Sequence, residues 1–128
     1  MDIPKFTKPG SLSKEEFFGK LFLTRDAIHL AHLSTKNYAA HVALGSFYDE
    51  LLDLTDGLIE SYQGKYGVIK IEVERVVNQE PIGCIKDLVK VTDGGFVYGS
   101  FGETWIKNEL DSISKLCYQT IYKLENLK

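Results

Sequence analysis

Residues 38–62 read YAAHVALGSFYDELLDLTDGLIESY, and the reading of this stretch decides the fold. Leu44, Tyr48, Leu51, Thr55, Leu58, Ile59 and Tyr62 recur in steps of three and four, which places them on one face of an α-helix. Gly64 and Gly67 follow, glycine being the usual residue just past a helix C-terminus. The spacing predicts a helix of roughly 25 residues, about 38 Å long at 1.5 Å per residue. Upstream, Phe17, Phe18, Leu21, Phe22, Ile28 and Leu33 keep the same period and predict a helix over 13–34. Ser13 and Glu16 have capping-box spacing, and acids fill the first turn, where the helix dipole favours them. Only Ser34-Thr-Lys-Asn37 separates the two helices, so they must fold back as an antiparallel hairpin.

Further along, Ile69, Ile71 and Val73 alternate with Lys70, Glu72 and Glu74. That is a strand period, and an ordered crossover loop fits the stretch equally well. An irregular or short-strand insertion is therefore expected around 68–80. Pro81 can open a third helix with Ile82, Ile85, Leu88 and Val89 inward. Gly94-Gly95 sets two possible ends for it, near Thr92 or, under strain, near Tyr98. From about Glu103 to Leu127 the apolar set is Ile106, Leu110, Ile113, Cys117, Ile121 and Leu124, a narrow stripe close to a heptad seam. Trp105 is either a core anchor or a partner contact. Residues 1–10, with Pro4, Pro9 and Gly10, read as an irregular leader. The sum is a mainly α bundle of about four helices in one domain spanning 1–128.

Composition narrows the function. Of 128 residues, 44% are hydrophobic and 12% aromatic, enough for one real core. Lys and Arg number 15 against 18 Asp and Glu, a net charge of −3 that argues against a general polyanion binder. No apolar run approaches the ~20 residues of a membrane span. The leader shows no signal-peptide pattern, and Cys84 and Cys117 lack CxxC spacing, so a reduced, cytoplasmic setting is expected. Nucleotide-binding glycine motifs and a nucleophile elbow are absent.

The chemistry-bearing residues gather around the first hairpin. All three histidines, His29, His32 and His41, fall within one short span. On a helical wheel His29 and His32 lie on the apolar side of the first helix, and Arg25 lies there too. His41 shares a side with Tyr48, Leu52 and Ile59. Asp49, Asp53, Asp56 and Glu60 form a stripe beside it, with Asp56 nearest. Glu50 lies opposite, toward solvent. Imidazole with carboxylate is a ligand set for iron, manganese or zinc, and it occurs inside helix bundles. A plainer reading stands beside this one. Inward histidines serve as hydrogen-bonded core residues, an acidic stripe is a solvated face, and Arg25 pairs with a carboxylate without metal.

Ala31-His32-Leu33, His41, Phe47-Tyr48, Asp56 and Glu60 resemble the Dps-like branch of the ferritin-like superfamily. That branch reads His-Trp, a loop, then a helix with His, an aromatic pair and Asp-x-x-x-Glu. The spacings His29 to His41, His41 to Asp56 and Asp56 to Glu60 fit its ferroxidase ligands. The Ala-His-Leu context points instead to His32 as first ligand. The string from His29 through Thr35, Tyr38, His41 and Phe47-Tyr48-Asp49 to Glu60-Ser-Tyr-Gln-Gly also resembles small ferritin-like proteins encoded by tailed phages. The resemblance is best over 24–67 and weak over 103–128.

It implies a ferritin-like up-down bundle binding iron, with manganese or zinc as other occupants, through His29, His32, His41, Asp56 and Glu60. It implies weak ferroxidase activity, and a homodimer at least, because the two halves of such a site come from two subunits. A phage protein of this kind would work in the host cytoplasm. Gly45 stands where the branch has a second carboxylate ligand, and a Leu stands for the Trp. Asp26-x-x-His29 only imitates the Glu-x-x-His of di-iron ferritins. No Lys-rich tail is present for DNA. The alternative is a non-catalytic phage accessory or structural protein that keeps the bundle for interaction, with a vestigial metal site.

Overall fold

A computed structural model describes residues 12–73 and 78–128. Its helices are α1 Lys14–Ser34, α2 Tyr38–Tyr66, α3 Pro81–Asp93, the short α4 Gly95–Ser100, and α5 Thr104–Asn126. No strand occurs among the described residues. The mainly α bundle of four long helices expected from the periodicity is what forms.

The first hairpin starts as its sequence dictates. The Glu16 N–H donates to Ser13 Oγ at 3.1 Å, and the Ser13 N–H donates to Glu16 Oε1 at 2.9 Å, a closed capping box. Asn37 caps α2, its Oδ1 accepting from the Ala40 N–H at 2.8 Å. A capped end on each side of a three-residue link fixes the register between α1 and α2. α2 runs one turn past the expected end at Tyr62. Gly64 is absorbed into the helix, and Gly67, at φ 92°, takes the positive-φ position that stops it. The extra turn is held by one contact within α2 and one to the start of α5. The Tyr66 ring packs 4.9 Å from Tyr62, and Lys65 Nζ donates to Glu103 at 2.6 Å.

Pro81 opens α3 as expected, with Glu80 accepting from the Ile82 and Gly83 N–H groups at 3.0 and 2.8 Å. The helix stops at Asp93, because Gly94 is extended, and the chain restarts as α4. α5 buries Leu116, Ser114 and Thr120 in addition to the expected stripe, so its inner face is wider than a heptad seam. Leu33, read as an apolar-face residue, is exposed, and so is Trp105, which is therefore not a core anchor.

Each long helix packs on two others, in the cycle α1–α2–α5–α3, around one core. Phe17, Phe18, Phe47, Leu21, Leu51, Leu88, Ile106 and Leu110 lie fully inside it. Each such Leu or Phe contributes about 1.5–3 kcal/mol. The cross-links give the directions. The end of α2 meets Glu103 at the start of α5. Lys86 pairs with Glu125 at 3.0 Å, and the Tyr118 hydroxyl donates to Asp93 at 3.2 Å. α2 and α3 are thus both antiparallel to α5 and parallel to one another. The order is up-down within each hairpin, with one long crossover between the two.

That crossover is the insertion expected at 68–80, and it is irregular where described. The Glu72 N–H donates to the Glu15 carbonyl at 3.2 Å, at the base of α1. Gln79 and Pro81 lie beside Leu30 and Ala31, near its top. Its two described parts therefore lie at opposite ends of α1. Gly19 permits this close approach, since a Cβ there would overlap the Glu72 carbonyl. The leader at 1–10, and residues 74–77 of the alternating stretch, lie outside the described residues.

Candidate functional site

The outer seam between α1 and α2 gathers the imidazoles. His29 and His32 come from the last two turns of α1, and His41, Gly45 and Tyr48 from the first three turns of α2. All three histidines are half-buried. They sit on the shoulders of their helices, where one helix meets the other, and not on the core-facing side.

His32 and His41 exchange hydrogen bonds. His32 Nδ1 lies 2.7 Å from the His41 carbonyl oxygen, and His41 Nδ1 lies 2.9 Å from the His32 carbonyl oxygen. A carbonyl only accepts, so both Nδ1 atoms must carry protons. In the neutral rings the lone pairs are then on Nε2. The two rings stack, with centroids 3.8 Å apart and planes tilted 21°. Gly45 makes room for this stack, because a Cβ at position 45 would lie 2.9 Å from the His32 ring. His29 stacks on Tyr48, with centroids 4.0 Å apart and planes 12° from parallel, and lies 6.4 Å from His32. The Arg25 guanidinium also approaches Tyr48, at 5.1 Å from the ring centroid, and pairs with its neighbour Asp26 at 3.1 Å.

The carboxylates stay apart from this cluster. Asp56 and Glu60 are exposed on α2. From His41 to Asp56 the helix rises roughly 22 Å, and from Tyr48 to Asp56 roughly 12 Å. Among the described residues, no three His, Cys, Asp or Glu side chains of one chain stand close enough to hold a metal ion. The structure thus brings His32 and His41 together, places His29 next to them through Tyr48, and leaves Asp56 and Glu60 roughly four and five turns beyond His41 on the same helix.

Two polar features were not read from the sequence. At the far end of the bundle, Glu103 accepts from Lys65 and from the Tyr66 hydroxyl. The Lys65 hydrogen bond, then the Tyr66 one, hold its carboxyl well below the usual range, at about 2. Lys14 lies 5.0 Å from the centre of the Phe101 ring and 5.5 Å from that of Tyr62, a cation over aromatic faces. Contacts so far apart in sequence leave no local pattern. Cys84 and Cys117 are free, buried thiols, pushed by burial up to about 11 and about 12, which keeps them protonated.

Fold and seam together define a four-helix bundle with a single long crossover and a histidine-lined hairpin. The chain belongs to a family of unknown function, DUF5856, which matches residues 32–124. That span takes in His32, His41, Asp56 and Glu60 and begins after His29. No curated protein and no solved structure matches the chain.

Proposed function

We propose that the protein binds a divalent transition metal at the outer α1–α2 seam, as a ferritin-like bundle whose site is completed by a second copy. The bond exchange between His32 and His41 carries this reading. An Nδ1–H held by a backbone carbonyl fixes ring and tautomer and leaves the Nε2 lone pair to a ligand, the usual state of metal-binding imidazoles. His41, with His29 or His32, supplies one half of the site. Asp56 and Glu60 of another copy supply the other, because within one chain α2 keeps the halves apart. Imidazole and carboxylate suit iron, manganese or zinc. Iron is the metal the resemblance implies, and iron oxidation is the chemistry it would bring.

Two further observations support the reading. One long crossover between two helical hairpins is the connection of ferritin-like bundles. The outer face of the hairpin also exposes Leu33 (67%) and Tyr38 (80%), apolar surface that a second copy would cover. The host-cell cytoplasm is the setting that the phage resemblance implies. A second reading is favoured by Gly45. The His32 ring fills the place where the resemblance puts a carboxylate ligand, which suits an interaction module whose histidines only fasten the hairpin.

Melting of the metal-free protein with Fe(II) under anaerobic conditions, Mn(II) or Zn(II) separates the two. Metal at a hundredfold excess over its Kd stabilises by about 2.7 kcal/mol, a rise on the order of 10 °C for a domain of this size. His41→Ala and Asp56→Ala should lose the rise, and Glu50→Ala, at an exposed position outside the seam, should keep it. An unmoved melting temperature with all three metals leaves the interaction module.

A further inference from the structure

The end of the bundle away from the histidines holds a second cluster, built from aromatic rings. Tyr62 and Tyr66 come from the last turns of α2, Phe101 from the link before α5, and Lys14 from the first turn of α1. The Tyr62 and Phe101 rings stand at 87° to one another, with centroids 5.9 Å apart. Tyr66 lies 4.9 Å from Tyr62, inclined at 35°. The three rings form walls of a box, and Lys14 Nζ occupies it, 5.0, 5.5 and 6.0 Å from the centres of Phe101, Tyr62 and Tyr66. We infer that this box is a binding site for a methylated ammonium group, and that Lys14 is its internal stand-in.

Size and chemistry both favour a methylated cation over the lysine. A methyl carbon stands about 1.45 Å from its nitrogen and packs on ring carbons at about 3.5–4.0 Å. The nitrogen of such a group therefore rests about 5.0–5.5 Å from a ring that its methyl touches. Lys14 Nζ keeps that distance from Phe101 and Tyr62 without methyls to fill it. A primary ammonium also carries three N–H donors. Among the described residues, no ion pair or hydrogen bond engages those of Lys14. A quaternary ammonium has no such donors and is drawn to ring faces. Two carboxylates complement its charge. Burial, then Glu15 and Glu103, push the Tyr62 phenol above its ordinary value, so both acids act on the box. Lys65, the other cation beside Tyr66, is paired with Glu103. Phe101 is 1% exposed and Tyr66 52%, which closes the floor and leaves the Tyr66 side open.

Tetramethylammonium chloride is the probe, with ammonium chloride as the control for ionic strength. NMR signals of Tyr62, Tyr66 and Phe101 should move with the first salt and not with the second. Lys14→Ala removes the internal competitor, so the titration midpoint should fall about two- to fivefold, the range of an exposed cation–π contact. In that background Tyr66→Leu should lose the shifts and Tyr66→Phe should keep them, and the same spectra report whether each variant is folded. Choline and phosphatidylcholine vesicles then separate a free solute from a lipid headgroup, and uptake of either supports the site. Equal shifts with ammonium, or no saturation by tetramethylammonium in Lys14→Ala, overturn the inference. So does a folded Tyr66→Leu that binds as its parent does. A midpoint that Lys14→Ala leaves in place overturns the stand-in role of Lys14.

Discussion

The missing side chain at position 45 gives the His32 ring its seat, and the two positions should be coupled energetically. Alanine in place of a mid-helix glycine is worth up to about 1 kcal/mol by propensity alone. At position 45 the new Cβ meets the His32 ring at 2.9 Å, so the ring must leave its stack. Gly45→Ala should cost about 1 kcal/mol in the wild type. In a His32→Ala background it should stabilise by about 0.5–1 kcal/mol. Urea unfolding of the four proteins reads this, and the same sign in both backgrounds would refute the seat. Glu103 makes the second claim at this level. Its folded pKa lies below the ordinary value, so its contribution is present in full above pH 4.5 and is lost as pH falls toward about 2. Glu103→Gln should melt below the wild type at pH 7, and the two melting curves should converge near pH 2. Neither position was legible as such. Gly45 looked like a lost ligand, because a sequence does not say which ring lies over a glycine.

Among the elements, the crossover depends most on a single contact. Gly19 sits mid-helix in α1, where alanine would ordinarily stabilise. Here the obstacle is the Glu72 backbone, which cannot swing aside as a side chain can. Gly19→Ala should therefore destabilise by about 1–3 kcal/mol and raise amide exchange at Glu72, whose N–H holds the Glu15 carbonyl. A variant as stable as the wild type, with Glu72 still protected, would show that the segment does not bear on α1. The long helices were legible because each keeps a 3.6-residue period, and two of them also have a readable start, Ser13 at α1 and Pro81 at α3. The end of α2 was not, since Tyr66 is held by Glu103 across a long stretch of chain. The alternation of Ile69, Ile71 and Val73 left a strand and a crossover loop equally open. Ile69 and Ile71 do turn toward the core, but from a single extended segment lying on a helix, with no partner strand among the described residues.

Taken whole, the molecule keeps its proposed metal ligands in two groups that one chain does not join. A histidine end lies at the tip of the first hairpin, and a carboxylate pair lies roughly four to five turns beyond His41 along α2, on exposed surface. The sequence indicated the residue types and spacings of both groups. Its unbroken helical period over 38–62 also implied that one helix holds them apart, and α2 is continuous through that stretch. A two-fold pairing that lays α2 antiparallel against α2 of a second copy brings each carboxylate pair alongside the other copy's histidines. The most direct measurement is Zn(II) uptake by a mixture of two folded variants, His41→Ala and Asp56→Ala. Each alone should be inert, since each spoils both sites of its own dimer. After subunit exchange, half the dimers are mixed and each carries one intact site, so uptake should return to about a quarter of the wild-type level. A mixture that stays as inert as its components, beside a wild type that binds Zn(II), would contradict a site shared between two copies.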